Sequence, residues 1–143
     1  MSEMLGNYHF LIRDYSSAID ELENFLLVNP DDKRARKKLI ICYTQVDELT
    51  KALNLFYSLV EQDIDFIINT DPEKEDCPCP DLVKKLEDNQ SLYNNKYWFF
   101  IELGILWLYC DKQKSLKYFE EAYAIDSSDE RVLSIIKKIK NTI

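Results

Sequence analysis

The stretch LGNYHFLIRDYSSAIDELENFLLVNP, residues 5–30, decides the fold because its pattern returns 34 residues further on, at residues 39–64. Five pairs of positions coincide: Leu5 with Leu39, His9 with Tyr43, Ala18 with Ala52, Leu22 with Phe56, and Leu26 with Val60. A self-match at this period, with apolar residues at helical spacing in both halves, indicates stacked pairs of helices. The sequence therefore predicts an all-α solenoid built of antiparallel helix pairs.

The residues within each pair resemble those of the tetratricopeptide repeat (TPR) family. The matching positions are Leu5-Gly6-Asn7, Tyr15, Ala18, Leu22 and Pro30 in the first unit, Leu39, Tyr43, Ala52 and Phe56 in the second, and Leu103-Gly104, Phe119 and Ala122 in the last. The resemblance implies a TPR-like helical repeat protein, in which neighbouring pairs stack and enclose a concave groove.

The chain is predicted to fold as one TPR-like domain, residues 1–143, with eight helices. The predicted helices cover residues 2–13, 15–28, 33–45, 48–69, 81–93, 95–110, 112–126 and 128–142. They form units at about residues 1–32, 33–66 and 97–127, a degenerate unit at 67–96, and a C-terminal capping helix at 128–143. We expect Ser127 and Glu130 to begin the eighth helix as a capping box.

Composition argues against several classes of protein. A chain of 143 residues with only two glycines favours helices over a turn-rich β fold. Its net charge of -8 argues against nucleic-acid binding, which requires clustered cations. No apolar run reaches the roughly 18 residues of a membrane helix, so no membrane partner is expected. The first residues lack the features of a secretory signal, and a cytoplasmic location is predicted.

Small residues stand where the helices of a pair are expected to cross closely. They are Gly6, Gly104, Ala18, Ala52, Ser115 and Ala122. Larger apolar residues are predicted to interlock beside them, each contributing roughly 1.5–3 kcal/mol when fully buried. These are Leu5, Leu22, Leu39, Phe56, Leu103 and Phe119. Both sets are interpreted as structural.

The TPR resemblance also implies a binding site, because ligands of that family usually lie in the concave groove lined by the first helix of each unit. The positions so implied as the peptide-binding groove are Asn7, Phe10, Arg34, Lys37, Ile41, Thr44, Trp98, Ile101, Ile105 and Tyr109, with Leu11, Gln45 and Leu108 on the same side.

Two interpretations remain open for the basic run Lys33-Arg34-Ala35-Arg36-Lys37-Lys38 in the predicted groove. It is either a clamp for an anionic group of a partner or a solvated helix face paired with nearby acids. TPR co-chaperones that hold acidic chaperone tails use a clamp of Lys, Asn, Asn, Lys and Arg. Asn7 matches its first asparagine, but Glu3 and Lys38 depart from the pattern, so this ligand is not expected.

Two interpretations also remain open for the aromatic stretch between Tyr93 and Tyr109. A helix that is apolar on nearly every side is either buried all round or presents a binding surface. In the first case the neighbouring helices cover it. In the second, Trp98, Ile101, Ile105 and Tyr109 hold an apolar peptide or amphipathic helix.

The chain shows no pattern of residues typical of a catalytic or metal site. Cys77 and Cys79 are spaced C-x-C, whereas a closed zinc site needs four ligands, commonly from C-x₂₋₄-C pairs. The loop at residues 71–80 is therefore predicted to be mobile and metal-free, with two free thiols. The lone His9 falls on a packing position, and no phosphate loop or hydrolase motif occurs. Neither an enzyme nor a cofactor is expected.

The sequence thus predicts a non-enzymatic protein-interaction module, an adaptor or chaperone-type scaffold that binds a peptide or helix of a partner protein. A self-associating structural subunit, in which the apolar last helices stack on a second copy, is the alternative.

Overall fold

The computed structural model describes residues 2–143, which form eight α-helices and one 3-10 turn. The helices are α1 (Ser2–Leu11), α2 (Tyr15–Val28), α3 (Lys33–Gln45), α4 (Leu49–Ile68), α5 (Cys79–Asp88), α6 (Lys96–Trp107), α7 (Lys112–Ile125) and α8 (Glu130–Lys140), with the 3-10 turn at Gln90–Leu92 between α5 and α6. The all-α prediction is confirmed, and each predicted helix has a counterpart. The fifth is shifted, because it begins at Cys79 and ends before the 3-10 turn.

The chain divides into two compact units, of which the first ends at Leu59 and the second runs from Val60 to Ile143. Within the first unit α1 packs on α2 and α2 on α3, and α1 also contacts α3. Within the second unit α5 packs on α6, α6 on α7, and α7 on α8. These five pairs of consecutive helices are therefore neighbours in space, as predicted. The single repeat domain over residues 1–143 stays a prediction.

Acidic and amide side chains define where most of the helices begin. Asp32 accepts a hydrogen bond from the backbone N–H of Ala35 at 2.9 Å, and Asn95 accepts one from Trp98 at 3.2 Å. Such N-caps satisfy backbone donors that have no partner inside the helix. Helix α8 is capped by Asp129, which accepts from the N–H of Arg131 at 2.9 Å. The predicted capping box of Ser127 and Glu130 is therefore wrong.

The predicted close crossings are confirmed at both glycines. A Cβ added at Gly6 would lie 2.9 Å from Cγ of Leu22, and one added at Gly104 would lie 2.8 Å from ring carbons of Phe119. At the second crossing the Ser115 hydroxyl also donates to the carbonyl oxygen of Gly104 at 2.6 Å. Only residues without a larger side chain allow the helices to approach this closely.

Five of the six predicted interlocking residues are buried, but Leu5 is not. Leu22, Leu39, Phe56, Leu103 and Phe119 have at most 3% of their surface exposed. Leu5 is 38% exposed, because Gly6 rather than Leu5 faces α2. The prediction that Leu5 is a core residue is wrong.

The long fourth helix is present but interrupted. Asp63, at φ -162° and ψ 80°, has a non-helical backbone inside α4. After α4 the chain makes hydrogen-bonded turns in which Asp71 accepts from the backbone N–H groups of Glu73 and Lys74, both at 3.2 Å. The mobility of this loop stays a prediction.

Cys77 and Cys79 form a disulfide rather than two free thiols, so that part of the prediction is wrong. Cys79 is the first residue of α5, and Pro80 follows within the first turn, where a missing N–H leaves no hydrogen bond unmade. Within residues 2–143 no helix is long and apolar enough to cross a membrane.

Candidate binding groove

The residues that the TPR resemblance assigns to a groove in the first unit are mostly buried. Four of them are buried: Phe10, Lys37, Ile41 and Thr44. Arg34 is exposed. A buried side chain contributes little contact area to a partner, and binding at these positions stays a prediction.

Asn7 is half-buried, and its side-chain oxygen is already in use. Lys38 Nζ donates to Asn7 Oδ1 at 2.7 Å and lies 5.9 Å from the centroid of the Phe10 ring. Lys38 stands where the chaperone-tail clamp has its second asparagine. The two positions therefore contact each other instead of presenting two amides to a ligand.

The basic run at residues 33–38 contains side chains in several environments. The Arg36 guanidinium is buried and donates to Ser58 Oγ of α4 at 2.8 Å. Lys37 is buried too, whereas Arg34 is exposed. Of these three cations only Arg34 is exposed, and the clamp for an anionic group of a partner stays a prediction.

In the second unit the burial interpretation holds for three of the four predicted groove residues. Ile101, Ile105 and Tyr109 are at most 1% exposed. Trp98, in the first turn of α6, is half-buried and its ring meets that of Tyr97 edge to face at 5.3 Å. Binding by these residues stays a prediction, and it would need Trp98 as the accessible contact.

The first unit does contain an open groove, formed by α2 and α4 above α3. Two adjoining cavities of about 440 Å³ and 330 Å³ share Leu39 and Tyr43. One wall comes from α2 and the other from α4: Glu23, Asn24, Leu26 and Leu27 on the first, Lys51, Asn54, Leu55 and Ser58 on the second. We call this site the α2–α4 groove.

The floor of the α2–α4 groove lies on the other side of α3 from the predicted groove. Leu39 and Tyr43 are four residues apart and both buried. At about 100° per residue, they point roughly opposite to Lys37, Ile41 and Thr44. The sequence had marked Leu39 and Tyr43 only as packing residues of the repeat.

Three leucines, Leu26, Leu27 and Leu55, line the walls of the groove among five polar residues. Leu27 is 82% exposed, and Leu26 and Leu55 are half-buried. Burying Leu27 against the apolar side of a partner would be favourable. The signal that could have found the site is the apolar end of α2, Leu26-Leu27-Val28, which exceeds the stripe needed for packing.

Tyr43 lies between two opposite charges in the groove. Its hydroxyl donates to the Glu23 carboxylate, and Lys51 Nζ lies 5.8 Å from its ring centroid. Burial, and then the hydrogen bond to Glu23, raise the pKa of Tyr43 far above its ordinary value. The hydroxyl therefore remains protonated at physiological pH, and the lining of the groove carries one acidic residue, Glu23, on α2 and one basic residue, Lys51, on α4.

The two free thiols, those of Cys42 and Cys110, have raised pKa values. Burial raises the pKa of Cys42 to about 12 and that of Cys110 to about 11. Both thiols are protonated at neutral pH, and a protonated thiol is a poor nucleophile. Among residues 2–143 there is no group of three or more His, Cys, Asp or Glu residues that could hold a metal ion.

Compared with protein-family models, with curated proteins and with solved structures, the chain matches none of them. Membership of the TPR family therefore stays a prediction from the residues quoted above.

Proposed function

We propose that this chain is a TPR-like helical repeat module that binds a segment of a partner protein in the α2–α4 groove, without catalysis and without a cofactor. The observation that supports this most is the groove itself, with Leu39 and Tyr43 as floor and the exposed Leu27 at its rim. The close crossings at Gly6 and Gly104 support the TPR-like part of the proposal.

The occupant we propose is an amphipathic helix. Residues 2–143 contain no β-strand, so this part of the chain has no sheet edge to which an extended peptide could add. A groove between two helices accepts the apolar face of a third by ridge-into-groove packing. The partner's apolar side chains would lie over Leu39 and between Leu27 and Leu55.

Charge sets the orientation of that helix. Glu23 stands on the α2 wall and Lys51 on the α4 wall. A partner helix with basic residues along one flank and acidic residues along the other complements both walls. Reversing the helix would place like charges together, which disfavours the wrong orientation.

A photo-crosslinking residue in place of Leu27 tests this proposal in the source cells. The matched control carries the same residue in place of Leu92, which is also a strongly exposed leucine but lies in the second unit. We expect the Leu27 position alone to capture a partner, and the linked peptide to have an amphipathic helical pattern.

A synthetic peptide of the captured sequence then gives the affinity. Leu27→Glu should weaken its binding at least tenfold, because a charge would be buried against the apolar face, and Leu92→Glu should leave binding unchanged. Equal capture at both positions, or equal affinity of both variants, would show that the groove does not bind the partner.

A further inference from the structure

Two of the chain's four cysteines form a disulfide at the start of α5. Cys77 lies in the loop after α4, Pro78 stands between the two cysteines, and Cys79 is the first residue of α5. Cys42 and Cys110 are free, and their raised pKa values keep both thiols protonated at neutral pH. Since a thiolate rather than a thiol attacks a disulfide, neither of them rearranges this bond readily.

The two bonded cysteines are not equally accessible. Cys79 has 0% of its surface exposed, whereas Cys77 is half-buried. Exchange begins when a thiolate attacks one sulfur of a disulfide and expels the other. A thiolate from another molecule can therefore approach the bond only at Cys77, and Cys79 is the leaving group.

The position of Cys79 suits a leaving group. A helix N-terminus carries a partial positive charge, which stabilises a cysteine thiolate there. Helix α5 is ten residues long, and its N-cap, Pro78, makes no side-chain hydrogen bond to the first turn. The N-cap side chain therefore does not compete for the N–H groups near Cys79. Asp81, the acidic residue of this turn, is exposed, so water and salt screen its charge.

The short spacing of the cysteines leaves the bond open to reduction. A disulfide stabilises a fold mainly by restricting the unfolded chain, and this effect grows with the length of the loop that it closes. Here only Pro78 lies between the cysteines, so folding does little to hold the pair oxidised. After reduction, the buried Pro78 with its fixed φ keeps the two thiols near each other. The bond can therefore be opened and closed again.

We propose that Cys77 and Cys79 form a thiol–disulfide exchange site that oxidises a dithiol of another molecule. A thiolate of the substrate attacks Cys77 Sγ. The Cys77–Cys79 bond breaks, and its electron pair leaves on Cys79 Sγ, which then takes a proton from water. The second thiolate of the substrate attacks the substrate's own sulfur in the mixed disulfide and releases Cys77 as a thiolate, which is protonated in turn.

The exchange is balanced and reversible. The substrate becomes a disulfide and gives up two electrons and two protons, and the cysteine pair gains them as a dithiol. Glutathione disulfide in excess restores the Cys77–Cys79 bond by the same steps in reverse and is itself reduced to glutathione. The lining of the α2–α4 groove contains neither cysteine, so this activity is separate from peptide binding there.

Charge indicates what kind of dithiol reacts best. The segment just before Cys77, residues 71–76, contains four acidic residues and one lysine, and residues 73–76 are exposed. Opposite charges raise the rate of association, and like charges lower it. A dithiol flanked by lysine or arginine is therefore attracted to Cys77, whereas an anionic dithiol is repelled. The substrate we propose is a pair of cysteines in a basic protein segment.

Mixing the oxidised full chain with two synthetic peptides tests the proposal. Both peptides contain the same Cys-x-x-Cys pair, flanked by lysines in one and by glutamates in the other. Chromatography, after the remaining thiols are alkylated, should show about one equivalent of peptide disulfide per chain, and at low salt the lysine peptide should react about tenfold faster. High salt should bring the two rates together. Cys42→Ala/Cys110→Ala should react as the wild type does, whereas Cys77→Ala should not oxidise either peptide.

Single-cysteine variants test which sulfur is attacked. Cys79→Ala leaves the accessible Cys77, and Cys77→Ala leaves the buried Cys79. With glutathione disulfide as the probe, Cys79→Ala should form the mixed disulfide about tenfold faster than Cys77→Ala, because the rate depends on access to the thiol. Circular dichroism checks that both variants fold, and Cys79→Ser replaces Cys79→Ala if it does not.

Several results would overturn the inference. A wild type that oxidises neither peptide until urea unfolds it has a purely structural disulfide. Equal rates of the two single-cysteine variants with glutathione disulfide would show that attack does not depend on the accessibility of Cys77. Equal rates with the lysine and glutamate peptides would show that the acidic segment does not select a basic substrate.

Discussion

Replacing Gly104 by alanine is expected to destabilise the second unit. The added Cβ would lie 2.8 Å from two ring carbons of Phe119 and 3.0 Å from its Cγ. Phe119 is fully buried, and its planar ring cannot bend away from the new methyl group. Helices α6 and α7 would have to separate, which disturbs a contact that extends along both of them.

Two effects of opposite sign determine the size of the change. Alanine is favoured over glycine inside a helix by about 1 kcal/mol. Overpacking a close contact destabilises by roughly 1–3 kcal/mol, and a rigid ring at this distance belongs near the upper end. The net effect is a loss of about 1–2 kcal/mol in the free energy of unfolding.

Urea denaturation followed by circular dichroism measures this loss. Gly6→Ala is the matched control: its Cβ would meet Leu22, whose side chain is flexible, so a smaller loss is expected. Adding Phe119→Leu to Gly104→Ala should recover part of the loss, since the smaller side chain relieves the clash. A gain of about 1 kcal/mol for Gly104→Ala, as helix propensity alone would give, would refute this account of the crossing.

Three further changes test other parts of the structure. The pKa of Tyr43 is raised above its ordinary value of 10.0 in the folded chain, so the stability that its neutral hydroxyl contributes should be complete below pH 10 and should decline above it. The free energy of unfolding, measured by denaturation between pH 8 and pH 11, should therefore fall less with rising pH in Tyr43→Phe than in the wild type. Reducing the Cys77–Cys79 disulfide should lower the free energy of unfolding by no more than about 2 kcal/mol, because so short a loop restricts the unfolded chain little; a larger loss measured in urea with and without reductant would contradict this. Asp129→Ala should cost about 1 kcal/mol by removing the cap of α8, whereas Ser127→Ala should cost little, and thermal melting distinguishes the two.

Much of the secondary structure was predictable because its determinants are local. Apolar spacing, prolines and the small residues at positions 6 and 104 are visible in the sequence, and the structure confirms the eight helices and both crossings. Helix ends were less predictable, since neighbouring polar residues compete for the cap. At the start of α8, Asp129 takes that position although Ser127 also fits the pattern.

The candidate site was harder to predict because burial depends on contacts distant in sequence. The TPR resemblance selected one face of α3, where Ile41 and Thr44 are buried, while the open groove lies over Leu39 and Tyr43. Similarly, periodicity could not decide whether Ile101 and Tyr109 were covered, since α6 is apolar on nearly all sides.

The Cys77–Cys79 disulfide makes the protein sensitive to the compartment in which it resides. Such bonds persist in oxidising surroundings and are rare in the cytosol, where glutathione and thioredoxin keep thiols reduced. The predicted cytoplasmic location would therefore favour the dithiol, in which α5 begins without a covalent link to the preceding loop. The same chain would exist as two covalent species that differ by two hydrogen atoms, and intact mass measured after rapid acid quenching would report from which environment the protein came.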